Sequence, residues 1–325
     1  MTNVPPLSIF SWNTLADWCC NGDDQGFPYV PEAARDPKTR AAKQLEHILA
    51  SNADIIALQE VDLPERFEKP LQDAGYQVLY RRRSRSPLGL LFAVKKSALS
   101  IDVKLEFNLG DDRIALGYVV TYADTMLVIC TVHLKAKAHG ADVRTQQIEK
   151  LVQLNAAFTN IIIAGDFNDL PESDCIARLQ QSGLEMVQGP TGVPELTTCK
   201  MRKTSTGERE MQRKTEDYIF YHTTDIKPIA PLVLATPEIP EVGLPSVEFP
   251  SDHLSLMATF ACVSQYPSRP EASVESEKPC PKCKRLVDLA VVEDALARYF
   301  CVACGDDFDV AVSQSNPVRL PLEYQ

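Results

Sequence analysis

The chain has 325 residues, 45% of them hydrophobic, and its 33 Lys and Arg face 44 Asp and Glu for a formal net charge of −11. That sign excludes a protein drawn to nucleic acid by its overall field, so any polyanion must be met by a local cationic lining. The length suits one large core plus a small appendage, and no run approaches the roughly 18 apolar residues of a membrane-spanning helix.

No signal or transit segment fits the start, because the six residues before Leu7 hold two prolines and no basic side chain; the expectation is a soluble, cytoplasmic protein with no membrane contact. Ile9-Phe10-Ser11-Trp12-Asn13 alternates apolar and polar residues, the mark of a half-buried strand that delivers Asn13 at its end. Trp18 to Pro31 reads as an irregular loop. Pro37 to Asn52 shows helical spacing through Ala41, Leu45, Ile48 and Leu49, with Asp36 as N-cap. Ile55 to Gln59 is continuously apolar up to its last residue, as in a strand buried on both faces, and ends in Glu60. A carboxylate at that place is costly without a partner.

The run Arg81-Arg82-Arg83-Ser84-Arg85 reads either as a solvated surface or as a guide for RNA, with Lys135, Lys137, Lys200, Arg202 and Lys203 able to add to such a lining. Strands are predicted at Gly117 to Tyr122 and Met126 to Thr131, the latter leading to His133. Thr145 to Phe158 has the helical stripe Ile148, Leu151, Val152, Ala156. Ile163-Ala164-Gly165-Asp166-Phe167-Asn168 places Asp166 and Asn168 at another strand end, and Thr215 to Phe220 sets Asp217 at the mouth of a strand. Further strands are predicted at Ile226 to Ala235 and Leu254 to Cys262, the last preceded by Phe249-Pro250-Ser251-Asp252-His253. There is no internal repeat. Singly, these polar residues are ordinary turn and cap residues. Together, on six apolar runs, the order Asn, Glu, His, Asp-x-Asn, Asp, Asp-His points to one cleft built for metal-assisted phosphoester hydrolysis.

These strings resemble the endonuclease/exonuclease/phosphatase superfamily, which includes deoxyribonuclease I. The details are most like its nocturnin-like deadenylases: Ser11 to Ala16, Leu58 to Asp62, Val132 to Lys137, Gly165 to Asn168, Asp217 to Tyr221, Leu244 to Ser246 and Phe249 to Leu256. The resemblance implies an α+β fold, a four-layered α/β/β/α sandwich over residues 1–263, and a 3′-5′ exoribonuclease acting on an RNA 3′ end. An NADP(H) 2′-phosphatase is the second enzymatic reading, and an inactive module binding RNA or protein is the reading from another class.

Carried over residue by residue, the resemblance implies Glu60 as principal ligand of Mg²⁺ (or Mn²⁺), with Asn13 beside it. Asp166 would orient or deprotonate the attacking water, and Asn168 would hydrogen-bond the phosphoryl oxygens. His133 and His253 would face the phosphate, with the tautomer of His253 fixed by Asp252. Asp217 would bind a second metal or orient a neighbour. Lys135, Lys137, Lys200 and Arg202 are the candidate substrate contacts. The departures concern substrate choice. The family's Lys-x-Arg is here Lys135 and Lys137, which keeps charge but loses the bidentate fork. Its Thr-Thr-Trp-Lys is Thr197-Thr198-Cys199-Lys200, and a loop that carries Gly-Cys-Ala is shortened to Arg85 to Phe92.

Residues 264–279 are rich in Ser, Pro and Glu, as a flexible linker is. Beyond them Cys280, Cys283, Cys301 and Cys304 form a C-x2-C-x17-C-x2-C pattern. Two such pairs suit a structural Zn²⁺ with four thiolates and no open position. A zinc ribbon over residues 280–312, with a tail at 313–325, would hold RNA, hold a protein partner or pack on the catalytic domain.

Overall fold

The computed structural model describes residues 4–21, 26–204, 206–224 and 226–262, together with the backbone of three strands between residues 288 and 311. In chain order these are β1 (Leu7–Asn13), α1 (Asp17–Asn21), α2 (Glu32–Arg35), α3 (Pro37–Ser51), β2 (Ile55–Val61), α4 (Glu65–Asp73), β3 (Tyr76–Arg82), β4 (Gly89–Lys95), β5 (Ser100–Gly110) and β6 (Arg113–Tyr122). They continue with β7 (Thr125–His133), α5 (Ala141–Ala157), β8 (Ile161–Asp166), α6 (Asp174–Gln181), β9 (Glu185–Met186), β10 (Thr198–Lys203), β11 (Arg209–Lys214) and β12 (Asp217–His222). The last are β13 (Ile226–Pro228), β14 (Val233–Leu234), β15 (Leu256–Cys262), β16 (Asp288–Glu293), β17 (Leu296–Cys301) and β18 (Asp306–Ala311).

Two sheets carry the fold. One has the order β13-β15-β1-β2-β4-β3, with β14 also on β15, and the other the order β5-β6-β7-β8-β12-β9. Alternation of side chains along each strand sends one set of residues between the sheets and the other towards the helices. Ile9, Ile55, Ala57 and Phe92 of the first sheet meet Ile129, Ile162, Ala164 and Ile219 of the second in a central core. On the outer faces Phe10, Ile56 and Leu58 pack with Ile48, Phe67 and Leu71 of α3 and α4, while Cys130, Ile161 and Ile163 pack with Ile148, Leu151 and Ile176 of α5 and α6. The result is the α/β/β/α sandwich, and the apolar runs Ile55–Leu58 and Ile161–Ala164 are buried on both faces. No helix among the described residues is long and apolar enough to cross a membrane.

Several local readings differ from the structure. α1 occupies residues 17–21, where an irregular loop was expected. α3 starts as read, with the Asp36 carboxylate accepting from Thr39 N at 2.7 Å, yet its buried stripe is Arg40, Gln44 and Ile48, and Leu49 is exposed. The helix faces loop carbonyls on that side, so its inward residues are donors. Residues 226–235 form two short strands rather than one, because Pro228 and Pro231 lack the N–H a ladder requires. Gly89 to Phe92 belong to β4, so the shortened loop ends at Leu88. The linker 264–279, the tail 313–325, Cys280, Cys283 and Cys304, and the side chain of Cys301 lie outside the described residues. β16, β17 and β18 form an antiparallel sheet in that order.

Candidate active site

Parallel pairing of β1 with β2, and of β7 with β8, brings four strand ends to one edge of the sandwich. Within the second sheet the register sets His133 beside Asp166 and Asp166 beside Asp217, a row of three across β7, β8 and β12. Gly165 lets β8 approach β7 so closely: with φ at +149°, a Cβ there would stand 2.1 Å from Val132 O. From the first sheet β1 contributes Asn13. A bulge in β2 between Leu58 and Val61 turns Glu60 to φ +57° and aims its carboxylate at the same place. Asn168 is likewise left-handed at φ +52°. Backbone held in that region beside a cluster of charges is the usual mark of a working site.

The groups converge on Asp166. Its Oδ2 accepts from Asn13 Nδ2 at 2.9 Å, and its Oδ1 accepts from the backbone N of Asn168 at 2.8 Å. His133 Nε2 and His253 Nε2 stand 3.7 and 3.9 Å from Oδ2. Asn13 Nδ2 also reaches Glu60 Oε1 at 3.2 Å, and His133 Nε2 lies 3.9 Å from that oxygen. Burial, and next the charge of Asp217, push the Asp166 carboxyl up to about 8. Burial holds His133 well below the ordinary imidazole range, helped by the positive charges of Arg83 and Arg113. For His253 burial acts the same way but is outweighed by Asp217 and Asp252, which raise it to about 10. One imidazole is therefore neutral and the other cationic at neutral pH.

One expected partnership changes, and Asp217 takes the second of its two expected roles, orienting a neighbour. The Nδ1 of His253 is held by Asp217 Oδ2 at 2.9 Å, and the same oxygen accepts from Thr197 Oγ1 at 2.6 Å. Asp252 does not fix that tautomer: its carboxylate is turned to Lys200 Nζ at 2.5 Å and lies 3.8 Å from the other ring nitrogen. The Lys200 and His253 charges outweigh burial and hold Asp252 down to about 2. Lys200 is thus an ion-pair partner within the site wall. Lys135 Nζ pairs with Asp111 at 2.9 Å, Lys137 stands exposed in the turn after β7, and Arg202 lies over the Phe27 ring at 5.9 Å.

Several supporting residues went unread in the sequence. Arg40, fully buried, donates to the carbonyls of Thr14, Leu15 and Pro250 and to Asp17, tying the loop after Asn13 to the loop before Asp252. The only signal was its place with Gln44 and Ile48 on one i, i+4 stripe. Gln59 spans the two sheets to Thr131 Oγ1 at 2.8 Å, beneath Glu60. Arg144 donates to the carbonyls of Lys135 and Lys137 and to Asp169, fixing the turn after His133.

The chain is thus a two-sheet sandwich with carboxylates, carboxamides and imidazoles gathered on one rim. The Endonuclease/Exonuclease/phosphatase family model matches residues 10–253, and the chain belongs to that family. Nocturnin of Rattus norvegicus is similar at 30% identity over 290 residues, covering 79% of this chain and 66% of its own length. The CCR4-Not complex 3′-5′-exoribonuclease subunit Ccr4 of Yarrowia lipolytica is 23% identical, covering 80% of this chain and 48% of its own. The chain thus spans two thirds or less of these relatives. The solved human nocturnin catalytic domain, with bound sulfate, superposes with a TM-score of 0.64 at 25% identity, covering 79% of this chain and 95% of that one.

Proposed function

We propose that the chain is a divalent-cation-dependent phosphodiesterase of the deadenylase type, shortening RNA from its 3′ end. The observation that carries it is the convergence of Asn13, Glu60, His133, Asn168 and His253 on Asp166. The family, and a relative named as a 3′-5′ exoribonuclease, support the same reading.

The residues fit a hard cation. Glu60 and Asp166 offer carboxylate oxygens side by side, both accepting from Asn13 Nδ2, while the Asn13 oxygen accepts from Leu15 N at 3.0 Å. The ligand atoms of Asp166, Asp217 and His253 also lie within 4.8 Å of one another, and the buried Oδ1 of Asp217 has no hydrogen-bond partner among the described residues. A carboxyl raised to about 8 by its surroundings is a site short of positive charge. Glu60 would hold Mg²⁺ (or Mn²⁺), joined by the Asn13 oxygen once that amide is turned over, and the ion would supply charge to a phosphoryl oxygen.

The chain's own residues then divide the remaining work. Asp166, ionised beside such a charge, orients a water and accepts its proton. Asn168 has one amide hydrogen on Leu134 O at 3.2 Å and a second free in principle for the phosphoryl group. His253, cationic and held by Asp217, stabilises the negative charge that builds on the phosphate, and neutral His133 presents a donor at the opposite side.

The test is to offer the purified chain, with Mg²⁺, an RNA ending in a 3′ adenylate tract and, separately, NADPH. A descending RNA ladder supports the exoribonuclease, and phosphate released from NADPH alone transfers the reading to a 2′-phosphatase. Turnover of neither sinks both. For the C-terminal cysteines the spacing alone supports a structural Zn²⁺ on Cys280, Cys283, Cys301 and Cys304. Elemental analysis should find close to one zinc per chain, and none in a chain truncated after Cys262 that keeps its hydrolytic rate on short substrates.

A further inference from the structure

Beside His133 the surface opens into a cleft of about 540 Å³ between the loop after β3 and the β5–β6 hairpin. Five arginines line it against three carboxylates, in a chain whose net charge is −11. The carboxylates are already engaged. Glu106 pairs with Arg81 and Lys104, and Asp112 accepts from the backbone N of Ser84 and Arg85. Asp111, in a left-handed turn at φ +50°, holds Arg113 Nη1 at 3.0 Å and Lys135 Nζ at 2.9 Å.

Two guanidinium groups remain under-used at the deep end. The Arg113 side chain is only 10% exposed, and its buried Nε has no hydrogen-bond partner among the described residues. Among the described residues the Arg83 guanidinium makes a single long hydrogen bond, to His133 O at 3.3 Å. The half-buried Arg83 and the buried Arg113 side chain repel: burial, and then the charge of Arg83, depress Arg113 to about 10. A buried N–H left unpaired is costly in itself. An anion seated between the two groups would remove both penalties, and a phosphate matches the planar fork of a guanidinium.

We propose that Arg113, with Arg83, forms a subsite for a second phosphate of the substrate, one linkage away from the ester cleaved at Asp166. It rests on the phosphodiesterase reading above. The subsite supplies guanidinium chemistry on β6 and the β3 loop, where the turn after His133 offers only Lys135 and Lys137. The neighbouring phosphate is either an internucleotide phosphodiester of RNA or the pyrophosphate of a dinucleotide, which present the same oxygens.

The test compares the full chain with Arg113→Gln and Arg113→Lys on three substrates with Mg²⁺: the dinucleotide ApA, which has only the scissile phosphate, the trinucleotide ApApA, and NADPH. Arg113→Gln should raise KM for a substrate carrying the neighbouring phosphate at least about tenfold more than for ApA, with Arg113→Lys between it and wild type. The effect confined to ApApA assigns the site to RNA, and confined to NADPH assigns it to the dinucleotide. Equal changes on all three substrates overturn the proposal. Binding of inorganic pyrophosphate, followed by calorimetry, is independent of turnover: wild type should bind at least about tenfold more tightly than Arg113→Gln, and Arg83→Gln should weaken it likewise. If no substrate turns over but that difference stands, the phosphodiesterase reading fails and the anion site survives. No difference in pyrophosphate affinity removes the subsite.

Discussion

Asp217 Oδ2 lies 2.9 Å from His253 Nδ1, whereas Asp252, next to that histidine in the chain, faces Lys200. The pairing makes Asp217 the group that sets the ring orientation of His253 and keeps it charged. Asp217→Asn should retain the geometry but not the charge, so kcat should fall about a hundredfold or more. In the pH profile, the basic limb that reports loss of the His253 proton should move towards acid. An unmoved profile with wild-type kcat would return the orienting role to Asp252.

Asp166 gives a stability signature in protein freed of divalent cations. Its folded carboxyl is raised from 3.8 to about 8, so the folded state holds a proton that the unfolded state has released in that interval. Stability from this group is therefore present at acid pH and declines as pH rises from about 4 to about 8. Asp166→Asn should flatten that decline in urea titrations. Added Mg²⁺ should stabilise wild type more at pH 8 than at pH 5, through binding to the folded state alone.

Glu60→Gln should abolish Mg²⁺-dependent turnover while the fold survives. The residue keeps its side-chain volume at a bulge that already accommodates a Cβ at φ +57°, and it loses the charge that a hard cation requires. The check is turnover together with the Mg²⁺-induced shift in Tm. Both should vanish in the variant, and a retained Tm shift would move the principal ligand to Asp166 and Asp217.

Lys200→Met should cost about 3 kcal/mol, because it strands the Asp252 carboxylate in a buried wall where its Oδ1 already lacks a hydrogen bond among the described residues. The double variant Lys200→Met, Asp252→Asn should recover much of that loss. In wild type the pair contributes in full above pH 4 and is lost as pH falls towards about 2, since Asp252 is depressed from 3.8. Denaturation midpoints from pH 2 to pH 7 for the four proteins of this cycle measure both effects.

Much of the cleft was legible in the linear chain. Asn13, Glu60, His133, Asp166 and Asp217 each terminate or begin an apolar run. A strand's two-residue period and its abrupt polar end are local properties that do not depend on what packs against it. The two-sheet sandwich followed from those runs through the family resemblance, and the N-cap of α3 at Asp36 from one side chain and its third neighbour. What the tertiary structure decided were the partners. Which of Asp217 and Asp252 holds His253 depends on the β8–β12 register and on where Lys200 of the β10 strand arrives. The role of Arg40 depends on carbonyls up to 210 residues away in the chain. Arg113 and Arg83 lie on different segments, and only the folding of the β5–β6 hairpin against the β3 loop brings both guanidinium groups to one cleft. Electrostatic partnership falls off over a few ångströms in space and is indifferent to distance along the chain, so no spacing rule could have shown it.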